Sequence, residues 1–309
     1  MLIPALATVL ILAAQVAGLW YPLISPEEFS KLPRVDKVLL SRSALLGNRD
    51  DVGVYLLIPL SVSLGLVHRK PLMMAVLTGS LVGGIVLSTT LTAIAVMGAL
   101  LAGSGLWWMR KAPRGTLVIA SSLTLLLLIT SVALLPEEVQ RKITWYGNHL
   151  SEGRMGELLG GRLEPFRASA HLIRNHPFLG VGPGRFPLEY IEVARDLAAR
   201  DQTLQAGAER EEAYFDMVHN DYLETAAEAG VPLLLGMVIF VTVFVRATLI
   251  NVSSRLPLSV RAVGAGVAAA ALAICAAAMV QFPLQIAVVY GSLAIAAGIG
   301  VGHVEHHED

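Results

Sequence analysis

Long runs without a charged side chain govern what this chain can fold into. Residues 1–26, 71–109, 115–135 and 262–302 contain no Asp, Glu, Lys or Arg, and shorter charge-free runs occupy 52–67 and 229–245. A helix needs roughly 20 predominantly apolar residues to cross about 30 Å of hydrocarbon. The runs 71–109 and 262–302 are each long enough for two spans, so the set amounts to eight. Only 15% of the residues are charged and 55% are hydrophobic, whereas soluble domains carry about 25% charge. The expected fold is an all-α integral membrane protein with about eight transmembrane helices and one large helical extracytoplasmic loop. Five spans fall in 1–135, the loop in 136–229, three spans in 230–302 and a tail in 303–309.

Several function classes drop out at once. A formal net charge of -1 with no basic stripe leaves no track for a nucleic-acid backbone. The single cysteine, Cys275, excludes an intramolecular disulfide and any paired-cysteine metal or redox site. The first apolar run has no Lys or Arg before Lys31 and is longer than the core of a secretion signal, so it reads as a span.

Orientation follows from basic residues in short loops, which accumulate on the cytoplasmic side. Three connections are basic and free of acids: His68, Arg69 and Lys70; Arg110, Lys111 and Arg114; and Arg246, Arg255 and Arg261. All three fall on one face of an eight-span alternation, which puts both termini in the cytoplasm and 136–229 outside. Trp20, Tyr21, Trp107 and Trp108 mark span ends, as aromatic side chains favour the headgroup zone. The hairpin within 71–109 is expected to turn near Ser88, Thr89 and Thr90, and that within 262–302 near Gln281, Phe282, Pro283 and Gln285.

The outer loop is patterned like an ordered domain. Residues 162–175 place Leu163, Phe166, Ala170 and Ile173 on one helical face, with Arg162, Arg167 and Arg174 elsewhere. Turn signals follow at Asn175, His176, Pro177 and at Gly180, Gly182, Pro183, Gly184. Residues 216–228 read as a second short helix carrying His219, Tyr222, Leu223 and Ala226, ended by Gly230 with Pro232 beyond. The stretch 192–213 is charged and alanine-rich, as in a solvated helix or a lid.

Taken in order, GRLEPFRASAHLIRNHPFLGVGPGRF and then HNDYLETAAEAGVPLLLG, running into a span, resemble the signature region of the O-antigen ligase and O-antigen polymerase family. In that family an Arg opens the first helix, a His-Pro-x-x-Gly-x-Gly turn follows, and a His-Asn pair opens the second; the likeness covers about 162–236. The resemblance implies a bacterial inner-membrane glycosyltransferase. Its donor would be an undecaprenyl-diphosphate-linked glycan and its acceptor a lipid, polysaccharide or protein, with transfer at the outer face and without a metal or other cofactor.

Transfer from a diphosphate-linked sugar needs a base for the acceptor hydroxyl and a cation for the departing diphosphate. The resemblance and this chemistry together single out His219 as base and Arg162 as diphosphate clamp. Histidine titrates closest to neutrality, and guanidinium stays charged and offers a fork of donors. Asn220 or Glu224 is the expected orienting partner of His219, with Arg167 nearby in the substrate site. The family commonly carries a second Arg in a Ser-Arg pair at the outer end of a membrane helix. Here the corresponding residues 88–93 read STTLTA, and Arg49, in GNRDD on the same side, is the expected substitute. The chain is short for the family and has no basic start, which gives the expectation of further spans upstream.

The remaining polar signals read as structural. His176 shapes the turn before Pro177, His149 and His171 are expected to be solvated, and His303, His306 and His307 belong to a solvated tail. The glycines 180, 182 and 184 follow no strand and open no dinucleotide-binding helix. Two rival classes stand beside the enzyme. A transporter or export component would require intramembrane charges, which these runs lack; a noncatalytic family member would be consistent with the missing Ser-Arg pair.

Overall fold

The computed structural model describes residues 2–17, 19, 25–31, 42–67, 71–109, 137–152, 162–200, 217–253 and 257–305. Among them the secondary structure is helical: α1 (Leu2–Val16), α2 (Pro26–Lys31), α3 (Arg49–Leu66), α4 (Pro71–Ser88), α5 (Leu91–Met109), α6 (Glu137–Ser151), α7 (Leu163–Asn175), α8 (Phe186–Arg200), α9 (Asp221–Ser253), α10 (Leu258–Ala277) and α11 (Ala287–Glu305), with a 3-10 turn at Pro283–Gln285. The expected span at 115–135 lies outside the described residues, as do the basic residues at 68–70, 110, 111, 114 and 255, the aromatics Trp20 and Tyr21, the segment 201–216, and His306 and His307. Helix α11 continues to Glu305, so His303 ends a helix instead of opening a tail.

Among the described residues, two helices are long and apolar enough to cross a membrane, Asp221–Leu249 with mean hydropathy 2.2 and Val260–Ala277 with 1.9. Shorter apolar helices occupy Leu2–Val16, Leu72–Ser88, Leu91–Leu106 and Ala287–Gly298. Both hairpin turns fall where the polar interruptions of the apolar runs put them. Thr89 and Thr90 separate α4 from α5, and residues 278–286 separate α10 from α11.

The chain divides into two compact units. The first comprises 1–140, 244–277 and 286–309. Its centre is α3, apolar on every side and buried along nearly its whole length, as expected for a helix without a polar face. Asn48 caps α3 by accepting the Asp50 amide at 2.9 Å, and Asp50 and Asp51 complement the positive end of the helix dipole. Small residues let α10 lie directly on α3. A Cβ on Gly266 would come within 2.8 Å of the Ser61 carbonyl, and one on Gly65 would collide with that of Ala262.

The second unit comprises 141–243 and 278–285. Helices α7 and α8 pair over a core of Ala168, Leu172, Phe186, Tyr190, Val218 and Ala227. The buried stripe of α7 is Pro165, Ala168, Ser169 and Leu172, and Ala170 is exposed. The expected face through Leu163, Phe166, Ala170 and Ile173 was therefore rotated. Phe166 and Ile173 only flank the core, because alanines signal a face weakly and the rings of Phe186 and Tyr190 decide which side is covered. His149, expected to be solvated, is buried, with its ring stacked 4.0 Å from Trp145 and Nδ1 2.8 Å from the Trp145 carbonyl.

Candidate functional site

Helix α9 is two helices joined at Gly230, whose φ of 86° and ψ of 163° are not helical. The expected stop at Gly230 is present, and Pro232 sits in the first turn of the following helix, where its missing N–H costs nothing. The Val231 amide, left without a helical acceptor, donates to the Pro177 carbonyl at 2.8 Å. Val181 and Gly182 donate to the carbonyls of Ala227 and Glu228 at 2.9 and 2.8 Å. The His-Pro-x-x-Gly-x-Gly turn is thereby clamped, backbone to backbone, on the end of the short helix. Gly180 and Gly230 make that approach possible. Both have positive φ, and a Cβ on Gly230 would strike the Phe178 carbonyl while one on Gly180 would strike that of Glu228.

Carboxylates secure the rest of the unit. Glu228 accepts the Gly184 amide at 2.8 Å and the Phe186 amide at 3.0 Å, placing negative charge at the start of α8. Tyr190 donates its hydroxyl to Glu164 at 2.7 Å and so ties α8 to the first turn of α7, beside Arg162. Burial, and then the Glu164 carboxylate, raise the Tyr190 phenol above its ordinary range, which keeps it protonated as the donor.

The candidate residues assemble around the turn that follows α10. Three successive carbonyls of this turn take donors from elsewhere in the unit: Ala278 from the Asp221 amide at 3.0 Å, Met279 from Asn220 Nδ2 at 2.8 Å, and Val280 from Arg162 Nη1 at 2.9 Å. Phe282, two residues further on, sets its ring 5.2 Å from the His219 imidazole at 51°. Asp221, almost fully buried, returns a bond by accepting the Leu284 amide at 2.9 Å. Arg162 and His219 are thus gathered at one turn. Arg167 lies further along α7, half-buried.

The second helix begins later than expected. Asp221, not residue 216, starts it, and Asn220 caps it by accepting the Leu223 amide at 3.0 Å. His219 therefore stands ahead of the helix, with φ at 58°. Among the described residues, Ala44 and Thr89 share such a positive φ without being glycine. A backbone held there costs about 1–3 kcal/mol and is found most often where function requires it. Glu224 is buried and accepts the Val218 amide at 2.9 Å, bracing the backbone just before His219.

Arg49 belongs to the first unit. Its Nη1 lies 3.4 Å from Thr89 Oγ1, and Thr90 donates to the Arg49 carbonyl at 3.1 Å and to Asp50 at the same distance. Arg42 reaches the same end of α4, donating to the Leu87 carbonyl at 2.9 Å. Arg42 is not singled out by the sequence, because five basic residues, Lys31, Arg34, Lys37, Arg42 and Arg49, share that connection and nothing in their order ranks them. The role of residues 278–285 was also missed, although Gln281, Phe282 and Pro283 interrupt an apolar run and were a usable signal.

A cavity of about 470 Å³ opens beside this turn, with Met217, Asp221, Glu224, Glu228, Leu284 and Gln285 among its walls. It combines carboxylates that can accept sugar hydroxyls with apolar side chains that can lie against a sugar face.

No curated protein matches this chain. A family model described as O-Antigen ligase matches residues 74–238, more than half of the chain, and takes in Arg162, Arg167, His219, Asn220 and Glu224 but not Arg49. This match, which runs from α4 into α9, establishes that the chain belongs to the O-antigen ligase family, whose members are multi-pass proteins of the bacterial inner membrane.

Proposed function

We propose that this protein transfers a glycan from an undecaprenyl-diphosphate carrier to an acceptor hydroxyl of a lipid, polysaccharide or protein at the outer face of the inner membrane. The observation that carries this reading is the convergence of Arg162 and His219 on the turn 278–282. In the proposed step the acceptor oxygen attacks the anomeric carbon, a new C–O bond forms, and the bond to the diphosphate oxygen breaks. His219 takes the hydroxyl proton, and Arg162 stabilises the charge that builds on the departing diphosphate.

Asn220 and Glu224 act on His219 through the backbone. The first caps the helix that follows it and the second holds the amide that precedes it. The carboxylate-walled cavity receives the sugar of the donor or acceptor. Arg49 serves as the second cation, a role supported by its contact with Thr89, inside the 88–93 segment where the family commonly carries an arginine. The protein has eight spans, both termini in the cytoplasm, and 136–229 outside.

The decisive assay is turnover of an undecaprenyl-diphosphate glycan by the purified protein. Absence of transfer to any hydroxyl acceptor, with the donor bound, would overturn the enzymatic reading. Topology is read separately from cysteines placed at 112 and 200: label supplied from outside must reach 200 and not 112.

A further inference from the structure

The turn between α7 and α8 carries two large apolar side chains that the protein leaves uncovered. Phe178 is 75% and Leu179 84% exposed. They are not at the tip of a wandering loop. The bonds from Val231 to Pro177, Val181 to Ala227 and Gly182 to Glu228 fasten this turn to the Gly230 break, and the Phe178 carbonyl lies against Gly230 itself.

Beyond that break the helix turns a continuous apolar surface outward. Leu233, Leu235, Val238, Ile239 and Phe240 are all exposed, and only 6% of its most apolar stretch is buried. A surface of that composition on a helix of this length is covered by lipid. Phe178 and Leu179 thus sit where the helix enters hydrocarbon, at the depth at which exposed aromatic and aliphatic side chains partition into the bilayer boundary.

We propose that Phe178 and Leu179 form a wedge that inserts into the membrane at the level of Gly230. The occupant of this patch is the lipid boundary, because the patch is continuous with the lipid-facing surface of the helix. The wedge holds the start of that helix, and with it the site gathered at 278–282, at headgroup height. There a membrane-anchored diphosphate must also lie. The inference rests on the reading that the helix beyond Gly230 crosses the bilayer and is independent of the transfer chemistry.

The test uses the full chain in lipid nanodiscs with Cys275 replaced by Ala and single nitroxide labels at 178, 179, 170 and 240. Collision with oxygen should exceed collision with a water-soluble nickel chelate at 178, 179 and 240. The order should be reversed at Ala170, which is exposed on α7. Water-like behaviour at 178 and 179 with lipid-like behaviour at 240 would overturn the wedge alone. Water-like behaviour at 240 as well would overturn the span reading and the wedge together. In the chain with its native cysteine, a photo-cross-linking side chain at 178 should capture lipid; capture of a second copy or of another protein instead would overturn the proposal.

Discussion

Arg162 and Asn220 hold adjacent carbonyls of one turn, Val280 and Met279, at 2.9 and 2.8 Å. One residue precedes α7 and the other caps α9, so the turn after α10 sets the spacing between the proposed diphosphate clamp and the segment that carries the proposed base. Its own conformation is fixed in return by Asp221, which accepts the Leu284 amide.

Arg162→Ala should lower glycan transfer by roughly 100-fold or more, the scale seen when one charge-stabilising donor is removed. Its bond to Val280 is exposed, so the folded protein should lose about 1 kcal/mol or less. Lys at this position should restore only part of the activity, since it lacks the planar fork. Turnover and thermal unfolding of the purified variants check both halves, and full turnover in the Ala variant would remove the clamp.

His219→Gly separates chemistry from folding more cleanly than Ala. The left-handed backbone at 58° costs an L-residue about 1–2 kcal/mol that glycine does not incur, so the variant should remain as stable as the parent while transfer is lost. A Gly variant that is well folded and fully active would end the general-base assignment.

Asp221→Ala leaves the Leu284 amide without its buried acceptor, a loss of about 1–3 kcal/mol. Asp221→Asn keeps an oxygen there and should recover most of that stability. If Asp221 positions the turn, the Ala variant that remains folded should bind donor more weakly, because Val280 and Phe282 shift away from Arg162 and His219. Donor binding unchanged in the folded fraction would argue that the turn is held without it.

Gly230→Ala should abolish accumulation of folded protein, since a side chain there meets the Phe178 carbonyl and φ is positive; the backbone term alone exceeds about 1 kcal/mol. Gly236→Ala, on the same helix with open space around it, should be neutral. Membrane levels of the two variants give the comparison.

Arg49→Ala should reduce transfer at least roughly tenfold if its charge assists the diphosphate, with partial recovery in Arg49→Lys. A purely structural Arg49 would instead reduce protein level through its Thr89 contact and leave the specific activity of the remaining protein unchanged. Specific activity per folded molecule distinguishes the two.

Much of this protein was legible in the string because its strongest determinants are local. Charge-free runs must be helical in hydrocarbon, where every backbone group needs a partner within its own segment, and the polar interruptions and the Gly-x-Pro signal within or beside those runs mark where the chain turns or a helix stops. The turns at Thr89 and after Ala277 and the stop at Gly230 follow from such rules, whereas the arginine before α7 was singled out by the family resemblance. What the tertiary structure decided concerns residues far apart in the chain. It chose the face of α7 that is buried, moved the start of α9 from residue 216 to Asp221, placed His219 ahead of the helix in a left-handed backbone, buried His149 under Trp145, and brought the 278–285 turn to Arg162. These depend on which backbone carbonyls and ring faces come within 3 to 5 Å of one another after the chain has packed, and periodicity carries no information about partners separated by a hundred residues.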